Sequence, residues 1–236
     1  MILKIIEKIL RGRYSCFCFD IFDTLIERPY ANPTDVFRDA GRRVLGRKEA
    51  ERFRVRRIRA EQEARLRKAG AEVELKDIYK YLKGYDYPTA RRLMHAEMGC
   101  EMRARPRKGM VRLMNRLHES HHRILLVSDM YLPEPFLKKL LDKCGVEEYD
   151  QLWLSNTWNC GKADGELFRQ ALAANGMPPE RTLHIGDSLR ADFMGAHKAG
   201  LRALLIPRHD FLPRCLISLK VRLEIFADRC RRGAWA

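Results

Sequence analysis

The sequence predicts an α/β protein built on a parallel sheet, with a helical segment inserted close to its start. Three observations carry that prediction. After residue 108, short apolar runs of strand length alternate with stretches that repeat their apolar residues every three to four positions. Several of the short runs stop abruptly at an acid or a hydroxyl: Asp20, Ser128 and Asp187. Between Pro29 and Pro106 no strong strand pattern is present, and charged helical stretches take its place. Strands that alternate with helices imply right-handed βαβ units, and so a parallel sheet.

In chain order, residues 2–10 place Ile2, Ile5, Ile6 and Ile9 on one helical face. Docking against the protein is the expectation for this segment, and lying on a membrane surface is the alternative. Lys4, Glu7 and Lys8 interrupt the run and no small-residue cleavage site follows, which is a poor signal-peptide pattern. Cys16 to Phe19 is an apolar run that ends at Asp20 and a turn, the mark of a buried strand. Asn32-Pro33-Thr34-Asp35 is a helix start. From Arg38 to Lys68 there are 13 basic residues and five acids among scattered apolar ones, which reads as two or three charged helices. A smaller helical piece is expected around Leu75–Leu82, a turn at Gly84–Pro88, and a helix over Ala90–Met102.

Beyond Lys108 the alternation is regular. Met110, Leu113, Met114 and Leu117 mark a helix, and Arg123–Ser128 a strand. Helices around Phe136–Leu141 and Leu167–Leu172 flank a strand at Leu152–Ser155. A strand at Thr182–Gly186, a helix at Ala191–Ala199 closed by Gly200, and a strand at Ala203–Ile206 complete the series. Leu212, Leu216, Leu219, Leu223 and Phe226 then recur at helical steps in the tail. The expected organisation is a core of residues 1–29 and 107–210, a helical insertion over 30–106, and an amphipathic helix over 211–236.

Apolar residues make up 46% of the 236, enough for a full core, and the formal charge is +15. That charge favours acidic partners such as phosphorylated substrates, nucleic acid or anionic membrane. No nucleic-acid motif accompanies it, so nucleic acid is not expected. For most of the inserted arginines a solvated surface is the expectation. The seven cysteines sit mostly in apolar runs and read as reduced core thiols of a cytoplasmic protein. Cys16 and Cys18 share a strand face, but no further ligands stand at metal-site spacing. No stretch is apolar for the length of a membrane span. His121 and His122 read as surface residues, His184 as a hydrogen-bonded core residue, and Trp153, Trp158 and Phe168 as core or cleft wall.

An acid at the carboxyl end of a parallel strand stands where such sheets bind ligands. Alone, Asp20 reads equally as nucleophile or metal ligand and as a turn cap. Three later stretches decide between the two: Leu125-Leu126-Val127-Ser128-Asp129-Met130, Gly161-Lys162, and His184-Ile185-Gly186-Asp187-Ser188 with Asp192. With the Asp20 stretch ahead of them, they resemble in this order the four motifs of the haloacid dehalogenase-like (HAD) superfamily, over roughly Tyr14–Pro207. Within it, Asp-Ile-Phe-Asp-Thr-Leu and Ser-Asp-Met-Tyr-Leu-Pro resemble a bacterial group found beside or fused to glycosyltransferases of surface polysaccharide synthesis.

The resemblance implies a Rossmann-like three-layer core with a helical cap, and a Mg²⁺-dependent phosphohydrolase acting on a small phosphorylated metabolite. It makes Asp20 the nucleophile. Asp20, Asp187 and the backbone carbonyl of Phe22 would hold Mg²⁺, and Asp192 would act behind them or through water. Ser128 and Lys162 would bind and neutralise the phosphoryl group, with Thr24 and Asp129 beside it. The departure is Phe22, where most phosphatases of the superfamily carry the acid that protonates the leaving alcohol; Asp23 is the first substitute to consider. General acid catalysis is worth about 10²- to 10⁴-fold. A second reading is therefore a weakly active or non-catalytic module that binds a phosphorylated sugar or a glycosyltransferase, with peripheral membrane contact through the terminal helices. A dehalogenase ranks below both.

Overall fold

The computed structural model describes residues 12–206. The amino-terminal helix expected over 2–10 and the tail helix over 211–236 lie outside the described residues. The described chain forms two compact units. The first takes the chain up to Arg28, then Arg65–Asp77 and Ala104–Ile206. The second takes Pro29–Ala64 and Ile78–Arg103.

The first unit is organised on a five-stranded sheet. Its strands are β1 (Cys16–Phe19), β4 (Arg123–Ser128), β5 (Gln151–Leu154), β6 (Thr182–Gly186) and β7 (Arg202–Leu205), in the order β5-β4-β1-β6-β7. All pairings in it are parallel. Every residue of β1 is buried, as a strand covered on both faces requires. Cys16 and Cys18 point to one face and meet Leu125, Val127, Trp153, Leu167 and Phe168 in a single cluster. Both are free thiols. Each large side chain taken fully from water there contributes about 1.5–3 kcal/mol. A short antiparallel pair, β2 (Ile26–Glu27) with β3 (Arg105–Pro106), joins the two ends of the inserted segment. That pair was not foreseen, because two residues carry no period.

The helices of the first unit fall where their periodicity placed them: Lys108–Glu119, Glu134–Lys143 and Glu166–Ala174, each burying its apolar face. Two elements differ. Ser155 opens a short helix, Ser155–Trp158, instead of ending β5. The stretch expected as one helix over Ala191–Ala199 is a π-helical turn, Leu189–Met194, followed by a short α-helix, Gly195–Lys198. Trp153 is buried, while Trp158 stacks on it at 4.1 Å between ring centroids and is itself exposed.

The second unit is helical. It contains Asp35–Leu45, most of Arg47–Arg67, part of Leu75–Lys80, and Tyr87–Glu101. Asp86 caps the last of these by accepting from Thr89 N at 3.0 Å, with a proline in the first turn. Not all of its arginines are solvated. Arg57 is fully buried and donates twice to Glu97, at 2.8 Å each, with Tyr79 Oη donating to the same carboxylate at 2.8 Å. Its guanidinium also lies 4.3 Å from the centre of the Phe37 ring.

Candidate functional site

The parallel register brings three strand ends to one edge. Phe19 is level with Leu126 and Ile185, so Asp20 leaves β1 where Ser128 and Asp187 leave β4 and β6. Ser128 Oγ donates to Asp20 Oδ1 at 3.3 Å. Lys162 Nζ reaches the same oxygen at 2.6 Å and Asp192 Oδ1 at 2.5 Å. Lys162, Asp20 and Asp192 are nearly fully buried. One carboxylate oxygen from each of Asp20, Asp187 and Asp192 lies within 4.8 Å of the other two. Four stretches, separated by up to 172 positions from Asp20 to Asp192, thus meet around Asp20 and the Lys162 ammonium.

Contacts on two sides hold Lys162. Its backbone N–H donates to Asp129 Oδ1 at 2.9 Å, so the Asp129 carboxylate fixes the lysine loop. On the other side Gly195 packs against the Lys162 carbonyl, and a Cβ on Gly195 would overlap it. Asp192 is held as firmly. The wide π-helical turn brings its Oδ2 back to the N–H groups of Asp187, at 3.0 Å, and Ser188, at 2.8 Å. His184 Nε2 meets its Oδ1 at 3.0 Å, the core role expected of that histidine. Gly186 makes room for this carboxylate, since a Cβ there would collide with the Asp192 side chain.

The electrostatics follow from burial among like and unlike charges. Burial pushes the Asp20 carboxyl up to about 7; Lys162 opposes the rise, while Asp192 and Asp187 add to it. Burial disfavours the Lys162 ammonium, yet Asp20, Asp192 and Asp129 together hold its pKa above the ordinary lysine value. Burial also works against the Asp192 anion, but Lys162 and His184 outweigh it and hold that carboxyl well below the usual range. Burial lowers the His184 imidazole, which favours its neutral form.

Beyond Asp20 the chain turns tightly. Asp23 has φ of 63°, donates its N–H to the Ile26 carbonyl at 2.6 Å, and accepts from Arg107 at its own carbonyl. Its side chain is buried. Phe22 is also buried, and the Arg28 guanidinium sits 3.8 Å from its ring centre. Thr24 is buried, and its hydroxyl meets no hydrogen-bond partner among the described residues. Sequence reasoning missed two groups. One is Arg28 over Phe22. The other is Glu72, which belongs to the sheet unit although it lies inside the inserted segment. Glu72 Oε2 accepts from Ser155 Oγ at 3.1 Å, and Glu72 N donates to Asn159 at 2.9 Å. No periodicity marks a lone acid in a charged loop.

An acid, a hydroxyl, a lysine and two further acids at one edge of a parallel sheet can hold a divalent cation and a phosphoryl group, with a carboxylate left to attack. Comparison with known proteins agrees. The family model described as haloacid dehalogenase-like hydrolase matches residues 14–200. A phosphoserine phosphatase of Thermus thermophilus is 34% identical over 77 residues, 33% of this chain and 31% of that protein. A human phospholysine phosphohistidine inorganic pyrophosphate phosphatase is 29% identical over 94 residues, 40% of this chain and 32% of that one. The matched stretch thus spans about a third of these relatives. Among solved structures, the L-2-haloacid dehalogenase of Xanthobacter autotrophicus superposes with a TM-score of 0.61 at 15% identity, covering 87% of this chain and 83% of that one. The HAD-hydrolase YfnB of Bacillus subtilis, solved bound to magnesium, gives 0.57 at 19%, covering 82% and 89%. With the motif residues gathered at one sheet edge and the family match spanning most of its length, the chain belongs to the haloacid dehalogenase-like hydrolases.

Proposed function

We propose that the protein is a Mg²⁺-dependent phosphohydrolase acting on a small phosphorylated metabolite, with sugar phosphates the first class to try. The observation that carries this reading is the Lys162 ammonium set between Asp20 and Asp192, with Ser128 on the same Asp20 oxygen. A phosphoryl group placed at Asp20 would meet a cation and a hydroxyl, the main demand of phosphoryl transfer.

The donor set fits Mg²⁺, since three carboxylates offer oxygens within 4.8 Å of one another and no softer ligand stands among them. Asp20, Asp187 and the Phe22 carbonyl would hold the ion. Asp192 already takes hydrogen bonds from two backbone N–H groups and contacts Lys162 and His184, so it would orient the site from behind. The bound ion would supply the charge neutralisation that lets a carboxylate approach a phosphate dianion.

In this reading an Asp20 oxygen attacks phosphorus, the bond to the leaving oxygen breaks, and an aspartyl-phosphate forms that water hydrolyses. Ser128 and Lys162 hold the phosphoryl oxygens, and Thr24 is a candidate third donor. Phe22 has no proton to give, and the Arg28 guanidinium over its ring is a poor acid. Leaving groups that are stable as anions are therefore favoured, unless Asp23 serves. p-Nitrophenyl phosphate hydrolysis with and without Mg²⁺ is the test. Metal-dependent turnover that Asp20→Asn abolishes is expected; turnover that survives this change would overturn the reading. The same Phe22 favours a second reading, a weakly active module that binds a phosphorylated sugar or a glycosyltransferase. Under it, Mg²⁺ and a phosphate ester would raise the melting temperature without turnover.

A further inference from the structure

Lys162 spans the site. Its ammonium is 2.6 Å from Asp20, and its backbone N–H is 2.9 Å from Asp129 Oδ1. Glu72 stands at this backbone end. A Cβ on Gly161, the residue before Lys162, would lie 3.4 Å from Glu72 Oε1 and 3.7 Å from Asp129 Oδ1. The space that Gly161 leaves open is therefore lined by two carboxylate oxygens, one lysine side chain away from the nucleophile.

Glu72 is held in place and does not sweep through solvent. Its Oε2 accepts from Ser155 Oγ, and the same hydroxyl accepts from Met130 N at 3.0 Å, just beyond Ser128 and Asp129. Its N–H is held by the Asn159 side chain. Three residues on, Leu75 N donates to the Tyr131 carbonyl at 2.8 Å. Tyr131 follows the end of β4, and Ser155 and Asn159 lie between β5 and Lys162, so Glu72 is anchored to the same frame as Ser128 and Lys162.

Resting on the phosphohydrolase reading, we propose that Glu72 is a specificity-determining residue. It selects phosphate esters whose organic part carries an ammonium or another hydrogen-bond donor, and rejects those that carry a carboxylate. The phosphoryl group belongs at the tip of Lys162, and the rest of a small metabolite extends over a distance comparable to that side chain. A cationic group there gains from Glu72 with Asp129 beside it. A carboxylate meets Glu72 and Asp129, offset only by the half-exposed Arg65 guanidinium 3.7 Å from Glu72 Oε2, and like-charge juxtaposition is a means of rejection. The same repulsion disfavours a 2-haloacid, whose carboxylate would enter this surround.

A matched pair of aryl phosphates tests the proposal without calling on a general acid: 4-(aminomethyl)phenyl phosphate and 4-(carboxymethyl)phenyl phosphate, with p-nitrophenyl phosphate as reference. For the full chain with Mg²⁺, kcat/KM should favour the aminomethyl ester by about tenfold or more, the equivalent of one partly screened ion pair. Glu72→Gln keeps an oxygen for Ser155 and should bring the ratio towards one, mainly through KM of the aminomethyl ester. Glu72→Asp should restore part of the preference, which a purely structural role would not do. An unchanged ratio in Glu72→Gln, or a wild-type preference for the carboxymethyl ester, would overturn the inference and leave the phosphohydrolase reading standing. Absence of Mg²⁺-dependent turnover on all three esters would overturn both.

Discussion

Phe22 is the residue on which the chemistry turns. It stands two positions past Asp20 and holds a guanidinium against its ring. Phe22→Asp should raise turnover of alkyl phosphates by about tenfold or more relative to p-nitrophenyl phosphate, because only the alkoxide needs a proton. The change also removes the ring under Arg28 and puts a charge into a buried position, so a lower melting temperature is expected with it. An unchanged alkyl-to-aryl ratio would direct attention to Asp23. In the second unit Asp39 governs a pH effect of a different kind. Burial works against its anion, but the Tyr30 hydroxyl at 2.9 Å and the Arg42 guanidinium at 2.8 Å, with Arg43 nearby, hold its carboxyl below the ordinary value. A carboxyl lowered on folding adds stability above its unfolded pKa, about 3.9, and loses it as pH falls through the folded value. Thermal melts of the wild type and Asp39→Asn should differ at pH 6 and converge below pH 4. A gap that stays constant down to pH 3 would remove Asp39 from this role.

At the level of elements, the turn after β6 does the positioning. Its π-helical winding lets Asp192 cap the N–H groups that precede it and still face Lys162 and His184. Gly186 is the permissive residue. Gly186→Ala should displace Asp192, cost about 1–3 kcal/mol as other overpacking changes do, and lower kcat with Lys162 still present. Retained kcat would show that the turn can shift without disturbing the lysine. This turn also marks where sequence reasoning reached its limit. The Asp187 and Asp192 pair was legible, because Asp187 ends an apolar run and Asp192 stands five residues after it, as in the motif it resembles. The winding between them was not, since a π turn and an α turn share nearly the same apolar spacing. Strands β1, β4 and β6 were legible for a different reason: burial on both faces keeps charged residues out of their buried positions, and such stretches stand out in a chain that is 33% charged. Glu72 left no trace, because its role depends on Ser155 and Asn159, more than 80 residues away.

For the molecule as a whole, the two outer ends of the inserted segment meet at one place, although Arg65–Asp77 returns to the sheet unit between them. Ile26 pairs with Pro106 and Glu27 with Arg105, so the two ends are already neighbours. Replacing residues 30–103 by a short Gly/Ser linker should therefore leave one cooperative unfolding transition, keep aryl phosphate hydrolysis, and abolish selectivity among substrates. The melting temperature should fall, because Val73 and Leu75 lie in the segment that clusters with the sheet, and both are buried. Loss of any cooperative transition would mean that the helical unit is needed for the sheet to close.

The central position of β1 has a consequence for synthesis. Cys16 must pair with Thr182, a partner 166 residues later in the chain. At about 5–20 residues per second, the ribosome delivers that partner roughly 8–33 s after β1 has emerged. Throughout that interval Cys16-Phe17-Cys18-Phe19, uncharged and rich in β-forming residues, lacks at least one of its two neighbours and is open to pairing with another nascent chain. Yield in a cell should therefore depend on chaperone capacity during translation more than on the stability of the finished fold, and slower growth at low temperature should favour the soluble product.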